Sequence, residues 1–244
     1  MKSYLKLILL LTMTSPAPAQ TRFKNHQLTF ERVKTAYSEK WANLQAELTE
    51  AGVKGPFKLY MAAYKKEGEL QLWVQSANEQ TYKIFRTYTF CKHSGTLGTK
   101  VKEGDLQTPE GFYYINAFNP VSNFYLSLGI NYPNALDKLR SGTEKPGGDI
   151  YIHGNCVTVG CIPLTDEKIK EVYILAVEAK NSGQSLIPVH IFPFKMTSGN
   201  LNRYALQFPA QRPLWTNLQS GYHYFEQYQI PPKVRLQKDK YLFK

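Results

Sequence analysis

The chain is poor in cysteine. Three residues among 244 exclude a disulfide-dense scaffold, and if two of them pair, one is left over. It has no internal repeats and no low-complexity linkers, so solenoids and flexible multi-domain strings are excluded. Beyond the first twenty residues no segment is long or apolar enough to span a bilayer. Acidic residues are scarce, 19 against 30 Lys and Arg, for a formal net charge of +11. What is present is ordinary charge (20%) and abundant aromatics (14%, with 17 Tyr), a globular composition long enough to bury a good core.

The first residues read MKSYLKLILLLTMTSPAPAQ. Lys2 and Lys6 make a basic start, Leu7 to Met13 a short apolar run, and Ala17-Pro18-Ala19 a small-residue stop. This pattern predicts a signal peptide over 1–19, cleaved before Gln20, and an exported, periplasmic or otherwise extracytoplasmic protein with no stable membrane span. An uncleaved signal anchor is the alternative. No cysteine follows the cleavage point, so a lipid anchor is not suggested. The mature chain keeps 28 basic against 19 acidic residues, a balance of +9. Inside a cell such a surplus suggests nucleic acid. Outside it fits an anionic polymer such as the cell wall, or a solvated surface with no dedicated partner, and no nucleic-acid partner is expected.

Phe30, Val33, Tyr37, Trp41, Leu44 and Leu48 recur at helical spacing, which predicts a helix capped by Thr29 and closed by Gly52. From Pro56 the pattern turns to β-branched and aromatic runs: FKLYMAAYK, ELQLWVQS, TYKIFRTYTFC, GFYYINAF, GDIYIHG and SLIPVHIFPF. TDEKIKEVYILAVEAKNSG is a helix capped by Thr165 and ended by Gly183. The last fifty residues predict one more helix and an extended tail. The class is α+β, a mainly β body flanked by helices. It divides into an N-terminal helical segment at 20–55, a catalytic body at 56–195 and a C-terminal helical extension at 196–244.

The chemistry concentrates in IYIHGNCVTVGCIPLTDE. His153, Cys156 and Cys161, with Cys91 or His93, are competent zinc ligands, but the H-x2-C-x4-C spacing lacks a paired C-x2-C knuckle and bulky Val157 and Val159 fill the interval. A disulfide is the second reading, with either Cys91–Cys156 or Cys156–Cys161 open. The third is a thiol nucleophile: Cys161 follows a glycine at a strand-to-loop corner, and His153 ends a strand at another glycine. Gly160 permits a sharp turn that aims backbone N–H groups at an incoming carbonyl oxygen.

IHGNCVTVGCI resembles the active-site signature of the YkuD-type L,D-transpeptidases, an HG strand end followed by Ser/Thr-x-Gly-Cys. LQTPEGFYYI resembles the same family's TP-x-G-x-F/Y element. The short interval from His153 to Cys161, with LGINYPNALD, PVHIFPFKM and LWTNLQSGYHYFEQ followed by PPKV, is similar to the YafK branch, over about 57–234. The resemblance implies Cys161 as nucleophile, His153 as general base and acid, the Gly154 carbonyl orienting the imidazole, Gly160 and Cys161 N–H groups as oxyanion hole, and Thr158 in the Ser/Thr position. Val159 replaces a second histidine found in many members. Tyr132 and Asn134 are expected in a loop over the cleft, with Tyr125 lining it. Lys100, Lys102 and Arg86 are expected as solvated charges and His190 as a satisfied core histidine. The implied reaction is acyl transfer on peptidoglycan stem peptides at the L-centre of diaminopimelate, through a thioester, without metal or organic cofactor. Water as acceptor, trimming stems or releasing a wall-linked lipoprotein, is favoured over an amine that would give a 3→3 crosslink or attach protein to the wall. An exported wall-binding module with an inactive pocket is the alternative from another class. Once cysteine acylation is required, Cys91–Cys156 is the pairing that leaves Cys161 reduced.

Overall fold

The computed structural model describes residues 18–244. The expected signal peptide, apart from its last two residues, lies outside them. Helix α1 (Pro18–Gln27) leads into the predicted helix, which has three segments: α2 (Glu31–Ala36), a π turn (Tyr37–Trp41) and α3 (Ala42–Glu50). Val33, Leu44 and Leu48 are buried and Phe30, Tyr37 and Trp41 pack against the same core, so the apolar stripe faces inward as its spacing requires. Thr29 does not cap this helix. Its hydroxyl donates to the His26 carbonyl, closing the turn after α1, and Phe30 occupies the cap position without a side-chain bond. Gly52, at φ +78°, follows the last turn.

The strands are β1 (Phe57–Tyr64), β2 (Glu69–Ser76), β3 (Lys83–Thr89), β4 (Gly111–Asn119) and β5 (Ser127–Ile130). Then come α4 (Ala135–Ser141), β6 (Tyr151–His153), β7 (Ile162–Pro163), α5 (Asp166–Asn181) and β8 (Pro188–Phe192). All eight form one sheet in the order β3-β2-β1-β8-β4-β5-β6-β7. β1 pairs with β8, and β6 with β7, in parallel; the other pairs are antiparallel. α5 therefore starts beside the β6–β7 edge and returns the chain to the centre of the sheet.

Both faces of β1 are buried, which explains a run with almost no polar alternation. Leu59, Met61 and Ala63 join the core shared with Val172, Leu175 and Ala176 of α5. Tyr60, Ala62 and Tyr64 join a second core shared with Trp215, Leu218 and Phe225 of the C-terminal extension. That extension is more than one helix and a tail. It contains α6 (Ser198–Gln207), a 3-10 turn (Pro209–Gln211), α7 (Arg212–Tyr228) and a hairpin of β9 (Val234–Gln237) and β10 (Lys240–Phe243). The turn led by Pro209 divides the helical stretch.

A buried polar cluster fastens the extension to the body. Lys65 Nζ donates to Gly98 O at 2.7 Å, Thr108 O at 2.8 Å and Glu110 Oε1 at 2.9 Å, and Trp215 Nε1 donates to Glu110 Oε2 at 2.8 Å. Losing one partner would strand a buried charge, so α7 and the loop before β4 are locked together.

Candidate active site

His153 is the last residue of β6, and Cys161 immediately precedes β7. The parallel register pairs Ile152 with Ile162 and His153 with Pro163. Cys161 therefore lies beside Tyr151, two positions from His153 along the neighbouring strand. Its Sγ accepts the Tyr151 N–H at 3.4 Å and donates to Asp149 O at 3.5 Å. The strands bring the two expected catalytic side chains to one edge of the sheet, with no hydrogen bond between them among the described residues.

The imidazole is held from two directions. Its Nδ1 lies 2.5 Å from Gly154 O, and Phe124 covers the ring at a centroid distance of 4.6 Å. A carbonyl can only accept, so Nδ1 carries the proton and Nε2 is left as the basic nitrogen. A side chain at Gly154 would have no room: its Cβ would lie 2.6 Å from Asp166 Oδ1 and 2.9 Å from Phe124 O.

The loop between the two residues is tied at both ends. Thr158 Oγ1 accepts the Gly160 N–H at 3.1 Å and donates to Cys161 O at 2.8 Å. Gly160 sits at φ +136°, and a Cβ there would meet Gln107 O at 2.7 Å, so the position demands glycine twice over. In this arrangement the Gly160 N–H, expected in an oxyanion hole, is taken by Thr158. Cys156 is joined to Cys91 by a disulfide with Cα atoms 5.5 Å apart, which pins the loop to the end of β3. Two of the five candidate zinc ligands are thereby committed to a covalent bond, and Cys161 is the free cysteine.

Burial holds the His153 pKa below the usual histidine range, and the bond to Gly154 O opposes it only in part. Burial also raises the Cys161 thiol. The Tyr151 N–H lowers it, Asp149 raises it, and the Lys100 ammonium lowers it. Both shifts favour the uncharged forms near neutral pH, a thiol and a neutral imidazole.

Other expectations change. Tyr132 is buried, with its hydroxyl donated to Pro146 O and its ring against Tyr113, so it is core and not a lid over the cleft. Asn134 caps α4 in a reciprocal capping box with Asp137. Tyr125 is half-buried, and its ring is faced by Arg32 and Lys170, not by Cys161. Lys100 is not a solvated charge. It is buried and donates to Asp105 Oδ1 and Lys102 O, both at 2.8 Å, because Asp105 gathers the 101–107 turn around itself. Arg86 is bound by Glu47 and Glu171, and Lys102 pairs with Glu144 at the surface. His190 is core but not satisfied, since its Nδ1 has no partner among the described residues. The sequence marks Asp166 only as an acidic residue in the first turn of α5, and nothing in it signals that Asp166 and Phe124 stand beside the His153 turn, a proximity the fold makes.

Residues 68–191 match the YkuD family, described as the L,D-transpeptidase catalytic domain. Escherichia coli (strain K12) YafK, whose name carries a provisional L,D-transpeptidase assignment, is 36% identical over 186 residues, covering 75% of this chain and 73% of that protein. Among solved structures, a variant of the helical cell shape determining protein Pgp2 from Campylobacter jejuni aligns at 23% identity and TM-score 0.44. The match covers 72% of this chain and 64% of that one, so this chain spans less than two thirds of it. Bdellovibrio bacteriovorus Bd1075 aligns at 19% identity and TM-score 0.42, covering 76% and 79%. The chain belongs to the YkuD family of L,D-transpeptidase catalytic domains, in its YafK branch.

Proposed function

We propose that this enzyme of peptidoglycan is a cysteine-dependent acyl transferase whose usual acceptor is water. The observation that carries the reading is the pairing of β6 with β7. It sets the one free thiol, Cys161, two positions from an imidazole whose Nδ1 is tied to a carbonyl and whose Nε2 is the basic nitrogen. That is the arrangement a thiol nucleophile and its base require.

The reaction runs in two halves. As His153 Nε2 takes the Cys161 proton, Sγ bonds to the carbonyl carbon at the L-centre of diaminopimelate. The tetrahedral oxyanion forms beside the Cys161 N–H. The C–N bond breaks, the amine leaves with the proton from His153, and a thioester remains. Water then attacks the thioester, His153 takes its proton, and the thiol is restored as the acid product leaves. The chemistry requires no metal or organic cofactor. Thr158 acts by holding the Gly160–Cys161 turn.

The acceptor decides between hydrolysis and crosslinking. Crosslinking needs an amine held at the acyl group and water excluded, whereas hydrolysis needs an open path. Val159 is 72% exposed and Val157 is also exposed on the loop that carries Cys161, and this openness favours water. The acceptor implied by the YafK-branch resemblance of the sequence is also water, with a lipoprotein-linked stem as one candidate donor. The signal-peptide pattern expected at 1–19 supports an extracytoplasmic location. Among the described residues no helix is long and apolar enough to cross a membrane.

The test offers purified protein a lipoprotein-linked muropeptide and a pair of plain tetrapeptides together, with products read by mass. Freed lipoprotein ends or loss of terminal D-Ala is expected. Accumulation of 3→3 dimers as the main product would overturn the hydrolytic reading, and no turnover of either would return the protein to a binding role.

A further inference from the structure

Asp166 opens α5, and its carboxylate reaches back to the turn after His153. Oδ1 accepts the Asn155 N–H at 2.8 Å. That N–H belongs to the same peptide unit as the Gly154 carbonyl, whose oxygen lies 2.5 Å from His153 Nδ1. The unit is planar and trans, so its N–H and C=O point in opposite directions. One rigid plate is thus hydrogen-bonded to a carboxylate on one side and to the imidazole on the other.

Two further features fit this arrangement. Asn155 takes a left-handed backbone, φ +58°, in the same turn in which its N–H meets Asp166. The Asp166 oxygen fills the space where a Gly154 side chain would begin. Helix capping does not account for the contact, because Thr165 already caps α5 through the Lys168 N–H.

We infer that Asp166 is the remote carboxylate of His153, acting through the Gly154–Asn155 peptide to complete a chain of thiol, imidazole, peptide and carboxylate. The inference rests on the reading of His153 as the base of Cys161. An anion on the amide N–H polarises the peptide and adds negative charge to its oxygen. That strengthens the Nδ1–H bond to Gly154 O, fixes the tautomer, and stabilises the imidazolium formed when the Cys161 proton arrives. Asp166 has no hydrogen bond to the thiol, and its role here is to position another group. The ionisable groups gathered with Asp166 around Tyr125, before β5, are Glu167 and Lys170 on α5 and Glu39 on the π turn, with Lys40 of that turn bound to Glu167. Glu167 and Lys170 pair with each other, with Lys40 and with Glu39, so their charges are held in a fixed network.

Asp166→Asn and Asp166→Ala, made in the full disulfide-bonded protein, separate this role from a structural one. Asn keeps an acceptor for the Asn155 N–H but loses the charge. The His153 titration is followed by NMR of a nitrogen-labelled imidazole, beside kcat and KM on a defined muropeptide and the melting temperature. In the Asn variant the His153 midpoint moves to lower pH, kcat falls about tenfold and KM holds, in line with losses seen when partners behind a functional histidine are removed. In the Ala variant kcat falls further. An unchanged His153 midpoint and unchanged kcat in the Asn variant would overturn the inference, whether or not the Ala variant folds. A shifted midpoint in a protein whose Cys161 never acylates would support the relay and overturn the assignment of the nucleophile.

Discussion

Two buried histidines lie in the same sheet and have opposite surroundings. His190 is on β8 at the centre, 2% exposed, with Tyr60 and Phe112 rings at 4.7 and 4.6 Å. Its Nδ1 has no partner among the described residues, and burial pushes its pKa down to about 3. His153 is on β6 near the edge and is 1% exposed, but its Nδ1 meets a carbonyl and the next residues turn toward α5. Burial alone yields a neutral packing group. A base needs one ring nitrogen held by an acceptor and a reactive partner on the adjoining strand, and only the β6–β7 corner supplies both.

Substitution breaks the comparison most sharply. Cys161→Ala and His153→Ala should each reduce turnover by at least about 10³-fold with the fold retained, by analogy with other nucleophile–base pairs. His190→Leu should leave kcat close to wild type, and an equal loss there would erase the distinction. Next in size is the disulfide. Cys91→Ser or Cys156→Ser removes a bridge over 65 residues and should lower unfolding free energy by about 2–4 kcal/mol in denaturant titration, while Cys161 remains acylable. Thiol counting on the oxidised, denatured wild type should find one free thiol; three would contradict the bond.

Thr158→Val tests the loop that holds Cys161, the proposed nucleophile. It deletes the bonds to Gly160 N and Cys161 O, each worth about 1 kcal/mol, and should cut kcat roughly tenfold. A wild-type kcat would show that the turn is set by Gly160 alone. The remaining effect concerns His190 and is read in stability, not turnover. Its folded pKa lies below its unfolded one, so below pH 6.5 the unfolded chain binds a proton that the folded chain refuses. Its stabilisation is complete above pH 6.5 and is lost as pH falls toward 3. Asp137, raised by burial to about 6, acts in the opposite direction and cancels in a comparison of two proteins that both carry it. From pH 7 to 5 wild type should lose about 2 kcal/mol relative to His190→Leu. Parallel curves would mean that His190 has a partner.

Local pattern made part of this molecule legible. β1 and β2 follow from apolar runs bounded by polar turns, and α5 from its Thr165 cap and apolar period. β5 and β7 have only four and two residues, too short for periodicity to register, and exist because neighbouring strands pair with them. The C-terminal hairpin is held by its fit over the second core, which composition does not reveal. At the site, the residues of the HG and GC elements stand out because glycine, histidine and cysteine occur there at a recognisable spacing. Tyr132 departs from expectation because an aromatic in a Pro- and Asn-rich loop looks exposed, yet here it turns into the core. Lys100 and Asp166 carry no local mark of their roles, since each gains its role from a contact that only the folded chain makes.

The central claim is that Cys161 forms the covalent intermediate. Intact-mass measurement during turnover of a defined muropeptide, followed by peptide mapping, tests it directly. The predicted result is a transient acyl adduct on the peptide that contains Cys161, absent from Cys161→Ala, with the Cys91–Cys156 bond still present. Product formation with no adduct at Cys161, or with activity retained in Cys161→Ala, would contradict it.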